Sequence, residues 1–203
     1  MRRLEDGSES PYELNSTFFS ALSDPEDEEL GMARFQCSQA VALAMKGIPA
    51  VYFHSLCGTP NDLDGYQQTK RNRTVNRKKW DQKVLNDLLD DQDTVPAQIF
   101  QWYSRTLRMR AGCPAFHPEA PQEIINLGLS VFAFRRDSQD GALSVFCLFN
   151  FKSDETAIEE MKLVKKIFPQ NKARDLISGG VLDWDKTGRL HLRPYQALSL
   201  SSS

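Results

Sequence analysis

The chain has 203 residues, 40% of them apolar and 26% charged, with a formal net charge of −2. This composition is typical of an ordinary globular protein, and the small charge gives no general electrostatic reason to bind nucleic acid or an anionic membrane surface. No apolar run approaches the roughly 18 residues of a membrane span, and no apolar core of a secretory signal follows the first arginines. The 4 cysteines and 3 histidines are scattered, which indicates free thiols in a reducing cytoplasm, with neither a metal site nor a cofactor.

The N-terminal part predicts a loop followed by one long helix. The stretch YELNSTFFSAL favours a packed loop with a short helix near Thr17–Leu22. Asp24 and Pro25 then supply a cap and a first-turn proline, and the acidic residues after them complement the positive end of a helix dipole. We expect this helix to run to about Lys46, where Gly47 ends it in a left-handed conformation.

The next segment, Ile48–Phe53, is a continuous apolar run, which favours a strand buried on both faces of a parallel sheet. With the helix before it, this strand would form one αβ unit. A single strand cannot make a sheet. Either further strands lie within residues 1–22 or the chain is the C-terminal piece of a larger α/β protein, and the loop-like start favours the second interpretation.

A long polar loop follows this segment, from His54 to about Trp80. Ligands of α/β folds bind where strands end and loops begin. Arginine together with asparagine suits recognition of hydroxyls or oxyanions, because the guanidinium offers fixed bidentate donors. Paired Asp residues in such a loop are more typical of caps and turns than of acid/base catalysis, and the basic residues carry no nucleic-acid motif. The candidate side chains are Asp62, Asp64, Arg71, Arg73, Asn76 and Arg77.

Two helices are predicted after the loop, a short one over Asp81–Leu89 and a strongly amphipathic one over Val95–Gly112. The second ends in Arg105, Arg108 and Arg110, which we expect to be solvated charges that favour the helix dipole.

From Pro121 onward the hydrophobic period changes to 2, which predicts a small antiparallel β domain. Residues 155–166 are charged and ambiguous. The predicted strands cover residues 123–127, 131–135, 143–149, 173–176 and 190–200.

Four segments resemble a known family: PYELNSTFFSALSD, GIPAVYFHSLCGTPNDLDG, NRTVNR and CPAFHPEAPQ. They are similar to the C-terminal part of the sucrose phosphorylase subfamily of glycoside hydrolase family 13, in the α-amylase superfamily. AFHP and NDLDG are more similar to its glucosylglycerate phosphorylase branch. The resemblance implies an α/β plus all-β fold, namely the last βα unit of a (β/α)8 TIM barrel followed by a small antiparallel β-sandwich domain. Residues 1–23 would end an inserted loop domain, 24–114 belong to the barrel and 115–203 form the β domain.

The resemblance also implies a reaction, the reversible transfer of an α-glucosyl group from a glucoside to inorganic phosphate with retention of configuration. Retention needs two carboxylates about 5 to 5.5 Å apart. The family positions of these carboxylates, and of a third that stabilises the transition state, precede Met1. We therefore expect no catalytic residue in this chain, no activity of the chain alone, and association with the missing N-terminal half of the barrel.

Two matching segments imply substrate-binding residues. Arg73 aligns with the arginine that binds the glucosyl hydroxyls in the donor subsite, and Asn76 lies in the same motif. Tyr12 and Glu13 align with a mobile loop that alternately faces the acceptor sugar and the phosphate. Sucrose phosphorylases carry glutamine at the Glu13 position. A carboxylate there would repel phosphate unless a neighbouring cation offsets it, which weakens the case for fructose as the acceptor.

Two alternatives remain open at the level of the sequence. One is a fragment of a hydrolase or transglucosylase of the same superfamily, which uses water or a sugar in place of phosphate. The other is a non-catalytic carbohydrate-binding module that folds independently.

Overall fold

The computed structural model describes residues 2–3, 5–10, 13–158, 165, 167–168, 172–184 and 189–201. Contacts divide the chain into two units, Met1–Ala21 with Tyr52–Phe100, and Leu22–Val51 with Gln101–Ser203. Within the described residues, none of the helices is both long and apolar enough to cross a membrane. The boundaries predicted after residues 23 and 114 follow the resemblance and stay a prediction.

The described residues form six α-helices, of which four lie close to predicted positions and two, over Phe53–Leu56 and Leu63–Thr69, were not predicted. The helix over Val95–Gly112 has its predicted bounds, and the shorter one before it is shifted by one residue and capped by Asp81, whose carboxylate accepts from the Val84 N–H. The helices are α1 (Phe18–Leu22), α2 (Glu28–Ala44), α3 (Phe53–Leu56), α4 (Leu63–Thr69), α5 (Gln82–Asp90) and α6 (Val95–Gly112).

Helix α2 begins later than predicted. Its N-cap is Asp27, whose carboxylate accepts from the Leu30 N–H at 2.9 Å, while Glu28 and Glu29 occupy the first turn. The predicted cap, Asp24, instead forms an ion pair with Arg34 at 3.4 Å. Asp24 and Asp27 are both suitable N-caps, so the sequence alone does not show which of them begins the helix.

A fully buried arginine binds the C-terminal end of α2. Arg136 has no exposed surface and donates to the carbonyl oxygens of Ala44 at 2.7 Å and His117 at 2.8 Å, with longer bonds to Pro121 and Ala120. Burial lowers the pKa of Arg136. The last carbonyls of a helix have no partner within it and carry partial negative charge, so they are suitable acceptors for a buried cation.

Arg110 also binds this end of α2, and the prediction that it is a solvated charge is wrong. It is only 8% exposed and donates to the carbonyl oxygens of Leu43 and Gly47, the latter at 2.7 Å. Its exposed neighbours Arg105 and Arg108 do fit that prediction. Gly47 adopts the expected positive φ of 110°, but the helix ends at Ala44, before the predicted Lys46. The two arginines bind the final carbonyls in place of a further helical turn.

The strand predicted over Ile48–Phe53 does not form in the described residues. Ile48 is 85% exposed and Tyr52 is 57% exposed, and α3 begins at Phe53. The Tyr52 backbone is extended, with φ of −78° and ψ of 138°. A parallel strand exists only through hydrogen bonds to neighbouring strands, and the described sheets pair this segment with nothing.

The antiparallel β domain is confirmed. Its strands are β3 (Gln122–Ile125), β4 (Val131–Asp137), β5 (Ser144–Asn150), β6 (Thr156–Ala157), β7 (Lys172–Asp175), β8 (Val181–Asp183), β9 (His191–Leu192) and β10 (Ala197–Ser201). The main sheet has the order β3-β4-β5-β10-β7-β8, and β6 pairs with β9 in a separate two-stranded sheet. Leu148 and Leu198 of the main sheet share one apolar core with Leu192 of β9 and with Trp184. Outside this domain, β1 (Arg2–Arg3) pairs with β2 (Glu9–Ser10) in a two-stranded sheet near the N-terminus.

Some details of this domain differ from the prediction. The strand predicted over residues 190–200 is split into β9 and β10 by a turn in which Tyr195 has a positive φ of 50°. The short strands β6 and β8 were not predicted, because two or three residues show no period. Most of the ambiguous stretch 155–166 lies outside the described residues.

The cysteines provide a direct test of the core. Cys37, Cys57 and Cys147 are buried and Cys113 is half-buried, all as free thiols. Burial raises the pKa of Cys37 and of Cys147 to about 12, so both stay protonated at neutral pH. Only the thiolate form of a cysteine is reactive.

We expect iodoacetamide to modify Cys113 at least roughly tenfold faster than Cys147 in the folded chain, measured by peptide mass spectrometry. In urea the rates should converge, and equal rates without urea would contradict the buried position of Cys147.

Candidate functional site

The polar loop of the first unit folds into short helices. A 3-10 turn over Asn72–Thr74 follows α4 and carries Arg73. Asp62 is the N-cap of α4, since its carboxylate accepts from the Gly65 N–H at 2.9 Å, and Asp64 lies in the first helical turn. Asp62 therefore has the capping role that the sequence predicts.

The structure brings two of the predicted site residues together. Arg73 Nε lies 3.3 Å from Glu13 Oε1, and a second guanidinium nitrogen of Arg73 lies 3.5 Å from Glu13 Oε2. The side chains are 60% and 40% exposed, so polar groups on Arg73 remain open to solvent. Glu13 thus has the neighbouring cation that a carboxylate beside a phosphate site would require.

The other two predicted residues are not joined to this pair by any described contact. Asn76 is half-buried, and its Oδ1 atom is buried without a hydrogen-bond partner in the described part of the chain. Tyr12 lies outside the described residues. The binding roles of Arg73, Glu13, Asn76 and Tyr12 therefore remain predictions.

A buried threonine hydroxyl connects two other side chains of this loop. The Thr59 hydroxyl, which has no exposed surface, accepts from Trp80 Nε1 at 3.0 Å and lies 3.2 Å from His54 Nδ1. The imidazole packs edge-on against the rings of Tyr52 and Phe53, and burial lowers the pKa of His54. Sequence reasoning missed this group, because nothing in the spacing of the three residues indicates that they meet.

A second missed feature is the Asn61–Asp62 dipeptide. Asn61 Oδ1 accepts from the Thr17 N–H at 2.7 Å, and the Asn61 N–H donates to Ser20 Oγ at 2.9 Å. On the other side, the Asp62 N–H donates to the Val75 carbonyl at 2.8 Å. The dipeptide thereby connects the segment that follows Glu13 with the turn that carries Arg73.

The described residues include no group of three or more His, Cys, Asp or Glu side chains that could hold a metal ion. The exposed groups of the site are instead a guanidinium and a carboxylate. These groups can donate to and accept from hydroxyls, and the guanidinium can bind an oxyanion.

Comparison with known proteins finds relatives for this chain, although no family model matches it. The chain is 37% identical over 190 residues to the glucosylglycerate phosphorylase of Allomeiothermus silvanus, an alignment that covers 92% of this chain and 31% of that protein. It is 32% identical over 195 residues to the glucosylglycerate phosphorylase of Escherichia coli, covering 95% of this chain and 33% of that protein. A 66-residue segment is 41% identical to the sucrose phosphorylase of Streptococcus mutans, covering 32% of this chain and 12% of that protein. The chain thus spans about a third of the length of the glucosylglycerate phosphorylases.

Solved structures with the same fold are also found. An AmyP variant in complex with maltotriose superposes with a TM-score of 0.66 at 18% identity, over 90% of this chain and 37% of that one. The trehalulose synthase MutB of Pseudomonas mesoacidophila gives a TM-score of 0.55 at 17% identity, over 83% of this chain and 38% of that one. At these identities the similarity shows the fold alone, and it confirms the predicted fold class, the last part of a barrel followed by an antiparallel β domain.

Proposed function

This chain is related in sequence to the sucrose phosphorylase subfamily of glycoside hydrolase family 13, the glucosylglycerate phosphorylases included, and from this premise we propose that it is the C-terminal, substrate-binding portion of a retaining α-glucosyl phosphorylase. The complete enzyme would convert a glucoside and inorganic phosphate into glucose 1-phosphate and a free acceptor. The observation that carries the proposal is the 37% identity to a glucosylglycerate phosphorylase over 92% of the chain.

The contribution of this chain would be recognition of the substrates. Arg73 would donate bidentate hydrogen bonds to the glucosyl hydroxyls, and Glu13 would hold the guanidinium in place while the acceptor and phosphate exchange. Tyr12 and Asn76 would complete the contacts to the sugar. The ion pair between Glu13 and Arg73, at 3.3 Å, supports this assignment. The positive charge of Arg73 offsets the negative charge that Glu13 would bring to a phosphate site.

The carboxylates that perform the chemistry would come from the preceding part of the barrel. Retention requires a nucleophile and an acid/base, and the family positions of both lie outside residues 1–203. The exposure of Ile48 and Tyr52 supports such a partner, since an apolar extended segment is suited to pairing with further barrel strands. Four free cysteines support a reducing, cytoplasmic location.

The test is reconstitution of phosphate-dependent cleavage. The purified chain, given glucosylglycerate and inorganic phosphate, is expected to release no glucose 1-phosphate. Adding the polypeptide encoded immediately upstream, or the first two thirds of the Allomeiothermus silvanus relative, should restore release, measured by a coupled assay. Glucosylglycerate is the first substrate to test, because two relatives that align with more than nine-tenths of the chain carry its name.

Each arm of this experiment has an outcome that would contradict the proposal. Turnover by the chain alone would show that catalytic groups lie within residues 1–203. Failure of the reconstituted barrel to use phosphate, with release of free glucose instead, would identify a hydrolase. Binding of glucosides by the chain without turnover in any combination would favour a carbohydrate-binding module.

A further inference from the structure

We propose that Asn61 is a positioning residue that sets the distance between Glu13 and Arg73. The proposal deepens the function given above, because it concerns the same pair, and it depends on that function only for what the pair binds. The contacts that carry it all lie within the first unit of the chain.

Asn61 holds the Glu13 side of the pair. The Thr17 hydroxyl accepts from the Ser20 N–H at 3.1 Å at the start of α1, and the main-chain N–H of this buried residue needs an acceptor of its own. Asn61 Oδ1 is that acceptor at 2.7 Å, and Asn61 Nδ2 lies 3.3 Å from Ser16 Oγ. The main-chain N–H of Asn61 adds a bond to Ser20. The segment just after Glu13 is therefore attached to one side chain of the loop.

The adjacent residue holds the Arg73 side. The Asp62 N–H donates to the Val75 carbonyl at 2.8 Å. Val75 ends the 3-10 turn, in which the Val75 N–H donates to the Asn72 carbonyl and the Thr74 N–H donates to the Arg71 carbonyl. Arg73 thus lies on a hydrogen-bonded turn that is attached to Asp62. The neighbouring residue, Asn61, binds the segment that follows Glu13.

The ion pair itself is too exposed to set this distance. Exposed pairs gain little in water, lose side-chain entropy and are screened by salt. Arg73 and Glu13 are separated by 60 residues in the chain, so they meet only if the backbone brings them together. Asn61 and Asp62 provide that connection through partly buried hydrogen bonds, which makes Asn61 the side chain on which the pair depends.

The first experiment measures the hydrogen bond between the Thr17 N–H and the Asn61 side chain, by nuclear magnetic resonance on the chain as it is. Asn61→Ala removes the acceptor for Thr17, and we expect hydrogen exchange at the Thr17 amide to quicken at least about tenfold. The Arg73 Nε–H signal, assigned by its loss in Arg73→Lys, should also lose protection, and Glu13→Ala should have the same effect because it removes the acceptor. Asn61→Asp keeps a carboxyl oxygen for Thr17 and should restore both signals, and Asn86→Ala on exposed α5 should change neither.

The second experiment measures the consequence for binding in the reconstituted barrel. When Glu13 and Arg73 move apart, the Glu13 carboxylate loses the cation that offsets its repulsion of phosphate. Asn61→Ala is therefore expected to raise KM for inorganic phosphate at least about tenfold with a much smaller change in kcat, and Asn61→Asp should recover most of the loss.

The outcomes separate the two proposals. Unchanged Thr17 exchange or an unchanged Arg73 Nε–H signal in Asn61→Ala would overturn the positioning role, whether or not the barrel is active. A changed signal with an unchanged KM would overturn it as well. No phosphate-dependent turnover by the unmodified barrel would overturn the proposed function and leave the resonance result to decide the role of Asn61.

Discussion

Replacing Arg136 by alanine is expected to lower the free energy of unfolding by roughly 3 to 5 kcal/mol. The guanidinium is fully buried and donates to four carbonyl oxygens, two of them at 2.7 and 2.8 Å. Without it, the buried carbonyl oxygen of Ala44 and the partly buried one of His117 lose a charged donor, which costs more than the loss of a neutral hydrogen bond. Urea unfolding followed by circular dichroism measures the change.

Two further variants separate the causes of this effect. Arg136→Met retains most of the side-chain volume without the donors, so it should recover only a minor part of the loss. Arg135→Ala, one residue earlier on the same strand, removes a half-exposed arginine that pairs with Glu123 and Asp137 at 2.9 Å. It should cost no more than about 1 kcal/mol. Equal losses for Arg136→Ala and Arg135→Ala would contradict the role of Arg136 as the buried donor to the Ala44 carbonyl and to the carbonyls of residues 117–121.

The second large effect is expected at Gly31, in the first turns of α2. A Cβ atom at this position would lie 2.3 Å from the Asp24 nitrogen and 3.0 Å from two backbone atoms of Ser23. Because these are main-chain atoms, the overlap can be relieved only by moving the backbone. Gly31→Ala should therefore cost about 2 to 3 kcal/mol in unfolding free energy, although alanine is the better helix former.

Gly112 provides the matched control, since it is the last residue of α6 and a Cβ atom added there would meet no atom within 4 Å. Gly112→Ala is expected to be neutral or to stabilise the chain by up to about 1 kcal/mol. The same chemical change should thus destabilise the chain at Gly31 but not at Gly112, measured by thermal and urea unfolding. A loss at Gly112 as large as at Gly31 would show that the close approach of Asp24 is not the cause.

The sequence predicts helices well where apolar residues keep a regular period over many turns, as in α6. It predicts helix ends less well, because Asp24 and Asp27 are both suitable caps for α2, and only the structure shows that Asp27 caps the helix while Asp24 pairs with Arg34. Arg110 illustrates the same limit, since a charged residue in the last turn of a helix is usually solvated. Only the packing of α6 with the end of α2 shows that it is buried.

The candidate site was predictable only in part. Resemblance to a family singled out Arg73 and Glu13, but no local pattern indicates that residues 60 positions apart form an ion pair. Asn61 stands in a polar loop where many partners are available to an amide, so its hydrogen bonds with Ser16 and Thr17 could not be inferred. The strand predicted over Ile48–Phe53 failed for a different reason, because a strand is defined by neighbours that its own residues do not encode.

The two hydrogen bonds made by residues 61 and 62 have an evolutionary consequence, because they tolerate mutation differently. The bond from residue 62 to Val75 uses a main-chain N–H, which every amino acid except proline supplies. Exchange of Asp62 would weaken the cap of α4 but leave the Arg73 turn attached. The bond from residue 61 to Thr17 uses a side-chain oxygen, and only residues with an acceptor of similar reach can replace it. Among homologues that retain the Glu13–Arg73 pair, we expect the amino acid at position 62 to vary, whereas position 61 should stay Asn or Asp.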